Sequence, residues 1–137
     1  MKKSNWIWVV IVVLVIGGLV SLLVVQANKP GKYDGVAQCI TDSGAKFYGA
    51  FWCPHCQATK AMFGKSAKLL PYIECSQPSG SGQLPICDEA GIKGYPTWRF
   101  ANGTELGGER TLQELAENTN CSAQLDRDTG VSPIVAQ

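Results

Sequence analysis

The sequence predicts an α/β domain preceded by a single N-terminal transmembrane helix, on three observations. An uncharged apolar run extends from Trp6 to Val25, interrupted only by Gly17, Gly18 and Ser21. Between Asp34 and Asn118, short apolar and aromatic runs of strand character alternate with segments of helical spacing. The sharpest change falls at Cys53, where the run Lys46 to Phe51 gives way to a segment whose apolar positions include Met62, Leu69 and Leu70.

At 1.5 Å per residue, the run from Trp6 to Val25 spans about 30 Å, which matches a bilayer core and exceeds the usual 7 to 15 residues of a signal-peptide apolar region. Residues 1–27 therefore read as an uncleaved signal anchor. The alternative is a cleaved signal peptide, with Val25-Gln26-Ala27 as a small-residue cleavage site. Both readings export the domain. Lys2 and Lys3 stay in the cytoplasm by the positive-inside rule, and the C-terminal part lies outside, on a periplasmic or extracellular face. Residues 28–33 form a short polar linker in which Pro30 breaks the helix.

A chain of 137 residues is expected to hold one core domain, here 34–121. The net charge is +1, and beyond Lys2 and Lys3 there are 10 basic and 11 acidic residues, so no basic field exists for nucleic acid. Asp34 can cap a first helix that runs to about Ser43 and stops at Gly44. The helix after Cys53 is expected to end near Pro71, and Tyr72 to Cys75 reads as a second strand. Gln77 to Gln83, rich in Ser and Gly, is a loop, and a short helix from Cys87 to Ala90 ends at Gly91. Thr97 to Phe100 and Thr104 to Leu106 form a hairpin around Ala101-Asn102-Gly103. Thr111-Leu112-Gln113-Glu114 is a capping box that opens a last helix to about Asn118. Residues 122–137 lack periodicity and read as a flexible tail.

The chemistry concentrates in Trp52-Cys53-Pro54-His55-Cys56. Cys53 sits where a strand turns into a helix. Unpaired amides and the positive end of the helix dipole favour an anion there, and cysteines so placed commonly ionise at roughly pH 3.5 to 7.5. Cys53 is the expected nucleophile. Pro54 suits the first helical turn, where its missing N–H is no loss. Cys56, one turn below, can attack a mixed disulfide formed at Cys53 and resolve it. His55 between them can lend positive character to the Cys53 thiolate, which makes the disulfide more oxidising.

The motif is matched about forty residues later by Gly94-Tyr95-Pro96-Thr97, and the combination resembles the thioredoxin family, with a DsbA-like Cys-Pro-His-Cys site. The longer pattern comprises Ala45 to Cys56, Tyr72-Ile73-Glu74-Cys75, Cys87 and Gly91 to Trp98. It is more narrowly similar to the thioredoxin-like domain fused to bacterial and plant vitamin K epoxide reductase homologues. The resemblance covers roughly Val36 to Cys121. It implies a thioredoxin-like fold, a central mixed sheet flanked by helices, with a cis bond before Pro96 facing the cysteines. It also implies Cys53 and Cys56 as catalytic residues, Trp52, Pro54 and His55 as tuning residues, and Tyr95 and Pro96 in substrate binding. No metal and no cofactor beyond the redox-active disulfide is implied. Thioredoxins carry a buried acid six positions before the nucleophilic cysteine, as proton acceptor for the second thiol, and this chain has Phe47 there.

Six cysteines allow fifteen complete pairings. With Cys53 and Cys56 as the working pair, Cys75 and Cys87 bracket the Ser/Gly loop and are expected to pair, worth about 3 kcal/mol. Cys39 and Cys121 then form the other structural bridge, worth about 4.5 kcal/mol in the chain-entropy treatment. Two rival uses of the cysteines are a redox relay through Cys75 and Cys87 and a zinc site on Cys53, Cys56, Cys75 and Cys87. Among the aromatics, Tyr48, Phe51, Trp98 and Phe100 are expected in the core.

The function expected is a membrane-anchored thiol:disulfide oxidoreductase that introduces disulfides into exported proteins. A membrane redox partner such as a vitamin K epoxide reductase homologue would reoxidise it. The alternatives are a reductase or isomerase fed by a membrane electron carrier, and a metal-handling or assembly module using the Cys-x-x-Cys.

Overall fold

The computed structural model describes residues 2–130, in two units that divide between Pro30 and Gly31. The first unit is one helix, α1 (Lys2–Ala27), whose Trp6–Ala27 segment has a mean hydropathy of 3.1. Its 22 residues reach about 33 Å, long enough to cross a bilayer, and a signal sequence near an N-terminus has the same length and composition.

The second unit runs α2 (Asp34–Asp42), β1 (Lys46–Gly49), α3 (Pro54–Phe63), a 3-10 turn (Gly64–Leu69), β2 (Tyr72–Glu74), α4 (Pro85–Glu89), β3 (Thr97–Arg99), β4 (Glu105–Gly107), α5 (Leu112–Asn118) and α6 (Ser122–Thr129). The strands form one mixed sheet in the order β2-β1-β3-β4. β1 is parallel to β2, with Gly49 opposite Glu74, and antiparallel to β3, which pairs antiparallel with β4. This four-stranded sheet flanked by helices is the thioredoxin-like architecture.

The centre of the sheet is aromatic. Phe47 on β1 is fully buried, stacks on Trp98 at 4.5 Å between centroids and meets Tyr72 edge-on at 5.1 Å. Val36 and Ile40 of α2, Phe63 of α3, Leu115 of α5 and Leu125 of α6 complete the core. Tyr48, Trp98 and Phe100 are buried, but Phe51 is half exposed. β1 ends at Gly49, two residues earlier than expected, because Cys53 N–H bonds back to Ala50 O at 3.0 Å as the chain turns into α3. Phe51 is therefore carried on that turn instead of pointing into the core.

Local signals set most other boundaries. The hairpin turns at Asn102-Gly103, where Gly103 has φ +85°. The capping box is formed: Thr111 Oγ1 accepts from Glu114 N at 3.1 Å and Glu114 accepts from Thr111 N at 2.8 Å. α4 starts at Pro85 instead of Cys87, with proline at its first position. Asp34 is the first residue of α2 instead of its cap, and its Oδ2 accepts from Gly31 N at 3.0 Å. α3 stops at Phe63, short of Pro71, because Gly64 takes φ +55° and the chain continues as the 3-10 turn.

The expected domain limits, 34–121 with a flexible tail over 122–137, need correction at both ends. Tyr33, placed in the 28–33 linker, packs edge-on against Phe63, and its N–H bonds to Ser66 Oγ at 3.0 Å. Ser122–Thr129 is helical, Leu125 is buried, and Asp128 Oδ2 accepts from Val36 N at 2.7 Å, supplying a partner to the first turn of α2. Residues 131–137 of that expected tail lie outside the described residues.

Candidate active site

The turn after β1 and the start of α3 present two free thiols, Cys53 and Cys56. Cys53 is the N-cap of α3 with extended φ/ψ, and Pro54 follows at the first helical position. The first bond of the helix, Gln57 N–H to Cys53 O at 3.1 Å, fixes the Cys53 backbone. Cys53 thus stands at the N-terminal end of the helix, where the unpaired amides lie. Cys53 Sγ also lies 3.7 Å from Tyr95 O, and the Tyr95–Pro96 bond is cis. Cys53, Tyr95 and Pro96 are thereby brought together.

Cys56 is the deeper sulfur. It is 1% exposed, and burial, the largest influence, pushes its thiol from 9.0 up to about 12. A backbone hydrogen bond with Ala50 and the Lys60 charge oppose the rise, and the Cys53 sulfur adds to it. The two thiols therefore have unequal tasks: Cys53 faces the helix terminus and the Tyr95 carbonyl, while Cys56 is held as a protonated thiol in the core.

Trp52 is half exposed, meets Tyr95 edge-on at 6.2 Å and donates its indole N–H to Ser76 Oγ at 2.7 Å. Tyr95 O–H donates to Gln83, and burial raises its phenol above the ordinary range. The Ser/Gly loop thus buttresses both aromatics beside Cys53. Its ends are joined by the Cys75–Cys87 disulfide, with Cα atoms 5.6 Å apart, while Cys39 and Cys121 are joined with Cα atoms 5.9 Å apart. Two of the four sulfurs that the zinc alternative requires, Cys75 and Cys87, are bonded to each other.

Two features of the site went unseen in the sequence. His55, two residues after Cys53, pairs through Nδ1 with Glu109 of the loop after β4. Glu74 receives Phe51 N–H at 3.2 Å and Ser76 N–H at 2.9 Å on Oε1, and the Tyr72 hydroxyl at 2.8 Å on Oε2. No local motif marks the His55–Glu109 pair or the Phe51–Glu74 bond, because these join segments 54 and 23 positions apart.

No protein-family model matches the chain. It is 44% identical over 98 residues to thiol-disulfide oxidoreductase LTO1 of Arabidopsis thaliana, covering 69% of this chain and 26% of that protein. It is 30% identical over 114 residues to protein disulfide-isomerase-like protein EhSep2 of Emiliania huxleyi, covering 67% and 49%. Identity to human protein disulfide-isomerase A2 is 33% over 82 residues, covering 53% and 15%. The chain thus spans between about a quarter and a half of the first two relatives. The fold, the free dithiol at a helix start and these relatives together support a thioredoxin-like oxidoreductase family for this chain.

Proposed function

We propose that this protein is a membrane-anchored thiol:disulfide oxidoreductase that works outside the cytoplasm and oxidises dithiols of exported proteins through Cys53 and Cys56. The observation that carries the reading is the asymmetry of the pair, with Cys53 at the start of α3 against Tyr95 O and 5% exposed, and Cys56 deeper at 1%. A substrate thiolate attacks Cys53 Sγ of the disulfide form, the Cys53–Cys56 bond breaks, and Cys56 leaves and takes up a proton. The second substrate thiolate then attacks its partner sulfur in the mixed disulfide and expels Cys53 as thiolate. Substrate passes two electrons to the protein; of its two thiol protons, released to solvent as it ionises, one is taken up by Cys56, while Cys53 is left as thiolate. A quinone-linked membrane partner of the vitamin K epoxide reductase type removes the electrons again.

Trp52 and Tyr95 flank Cys53 with aromatic surface for the substrate chain, and α1 holds the domain at the membrane. The names of the relatives favour one second reading, that of a disulfide reductase or isomerase using the same sulfurs in the opposite direction. Alkylation trapping of the full chain in its native cells separates the two. A Cys53–Cys56 pair that is mostly oxidised at steady state supports the oxidant, and a mostly reduced pair overturns it in favour of the reductase.

A further inference from the structure

A buried thiol that must give up or take up a proton in every cycle needs a group to exchange it with. The site used for that purpose in thioredoxins is occupied here by Phe47, an apolar ring stacked on Trp98 and edge-on to Tyr72 that can neither take up nor release a proton. The parallel pairing of β1 with β2 places a different set of groups beside Cys56. Gly49, opposite Glu74 in the register, has no side chain, and the space a Cβ would fill is bordered by Cys56 Sγ at 2.9 Å, Tyr72 Cε2 at 2.7 Å and the Tyr72 hydroxyl at 3.3 Å. The sulfur and the phenol oxygen therefore both border the same small space over the Gly49 backbone.

Tyr72 is itself fixed. Its hydroxyl donates to Glu74 Oε2 at 2.8 Å, which leaves its oxygen lone pairs free to accept. Glu74 is held by Phe51 N–H and Ser76 N–H, the former on the turn that leads to Cys53. Lys60, one turn along α3 from Cys56, places Nζ 3.2 Å over the Tyr72 ring centroid. The titratable groups that interact with Cys56 are thus Cys53 at the head of its helix, Lys60 one turn on, Tyr72 on β2 and Tyr95 before β3, with Glu74 reached through the Tyr72 hydroxyl.

We infer that Tyr72 and Glu74, with Lys60 against the Tyr72 ring, form the proton path of Cys56 in place of the acid that Phe47 excludes. The inference rests on the dithiol reading above. When Cys56 attacks a mixed disulfide at Cys53, its S–H proton passes to the Tyr72 oxygen as the Tyr72 O–H proton passes to Glu74. The Cys53–Cys56 bond forms, the substrate sulfur leaves with the electron pair, and Glu74 then returns its proton to solvent. In the oxidising direction the same path runs backward and protonates Cys56 as it leaves. Burial, and then the hydrogen bond and charge of Glu74, hold the Tyr72 phenol well above its ordinary range, so it relays a proton without remaining ionised. Burial also keeps Cys56 protonated after Cys53 has entered a mixed disulfide and lost its charge, which is the state in which the path is needed.

The test uses the reduced full chain in detergent, mixed rapidly with dithiobis(nitrobenzoate). Attack by Cys53 releases one nitrothiolate, and attack by Cys56 on the resulting mixed disulfide releases the second, so the second phase reads Cys56 alone. In the parent this phase changes little with pH between about 6 and 8, because the base is internal. In Tyr72→Phe, which keeps the ring against Phe47 and Lys60, it should slow by roughly 10- to 100-fold at about pH 6.5 and climb nearly tenfold per pH unit, with the first phase unchanged. Glu74→Gln retains an acceptor for Phe51 and Ser76 and should show the same steep profile. Second phases that match the parent in both variants at every pH overturn the relay and leave the dithiol reading standing. A folded parent that releases no second nitrothiolate overturns that reading and the relay with it.

Discussion

His55 Nδ1 lies 2.5 Å from Glu109 Oε1, linking the helix start that carries Cys53 to the loop after β4. Both side chains are exposed, 65% and 47%, so solvent and salt weaken the field of either charge at the sulfur. The imidazole therefore does not act on Cys53 as an isolated cation. At low ionic strength, where screening is least, the two substitutions should move the redox potential in opposite directions. His55→Pro removes a positive charge and should make it more negative. Glu109→Gln removes a negative charge and should make it less negative, each by on the order of ten millivolts. Equilibration of each full chain with glutathione reads both shifts. A more negative potential in Glu109→Gln would show that the pair acts other than through its charges.

The order of attack gives a second prediction. Cys53 combines a helix N-terminus with contact to Tyr95 O, whereas Cys56, the deeper of two buried cysteines at 1% against 5% exposure, sits one turn into α3. Cys56→Ala should accumulate substrate as mixed disulfides at Cys53, at least about tenfold above Cys53→Ala, because the remaining thiol of the latter is protonated and inaccessible. Non-reducing gels of cells expressing each variant provide the comparison. Equal accumulation would contradict the assignment.

How much of this was legible depends on the sequence distance of the causes. Pro54 after Cys53, the Thr111–Glu114 box and the Asn102-Gly103 turn are local devices, and each marks its element within a few residues. α6 carries only a weak apolar pattern, with Leu125 as its one buried residue, and it is tied down by Asp128 bonding to Val36 N across 92 positions. Nothing near Ser122 announces that partner. Likewise Glu74 meets the active-site turn because β1 and β2 pair in parallel, and Glu109 meets His55 across 54 positions. The free thiols at the start of α3 were readable from their own neighbourhood, but Glu74 and Glu109, which the fold brings to the turn and to His55, were not.

The Cys75–Cys87 bridge closes a loop whose ends are 12 positions apart, and that loop supplies Ser76 to Trp52 and Gln83 to Tyr95. Replacing both cysteines with Ala should cost about 3 kcal/mol and lower Tm by roughly 10–20 °C. The remaining folded molecules should release nitrothiolate at the parent rate in both phases. For a peptide substrate, however, KM should rise severalfold, because Trp52 and Tyr95 lose their buttress. A fall in the second phase with an unchanged KM would instead place Cys75 and Cys87 in a relay.

Gly49 provides the last test, since the space over it is bordered by both Cys56 and Tyr72. A Cβ there would come within 2.7 Å of Tyr72 Cε2 and 2.9 Å of Cys56 Sγ, distances that real side chains do not tolerate. Neither neighbour moves away freely. Tyr72 is pinned by Glu74, the Lys60 ammonium and the edge of Phe47, and Cys56 is a buried position on the first turn of α3. Gly49→Ala should therefore cost about 1–3 kcal/mol of stability as an overpacked site. It should also part the sulfur from the phenol, slowing the second nitrothiolate phase while sparing the first, which depends on Cys53 at the far side of the turn. Gly107→Ala on β4 is the control, because nothing lies within 4 Å of a Cβ there, and it should match the parent in both phases and in Tm. If Gly49→Ala melts lower but keeps the parent's second phase, the space over Gly49 serves packing alone. If the second phase slows and acquires the pH dependence of Tyr72→Phe, the proximity of Cys56 to Tyr72 is what carries the proton.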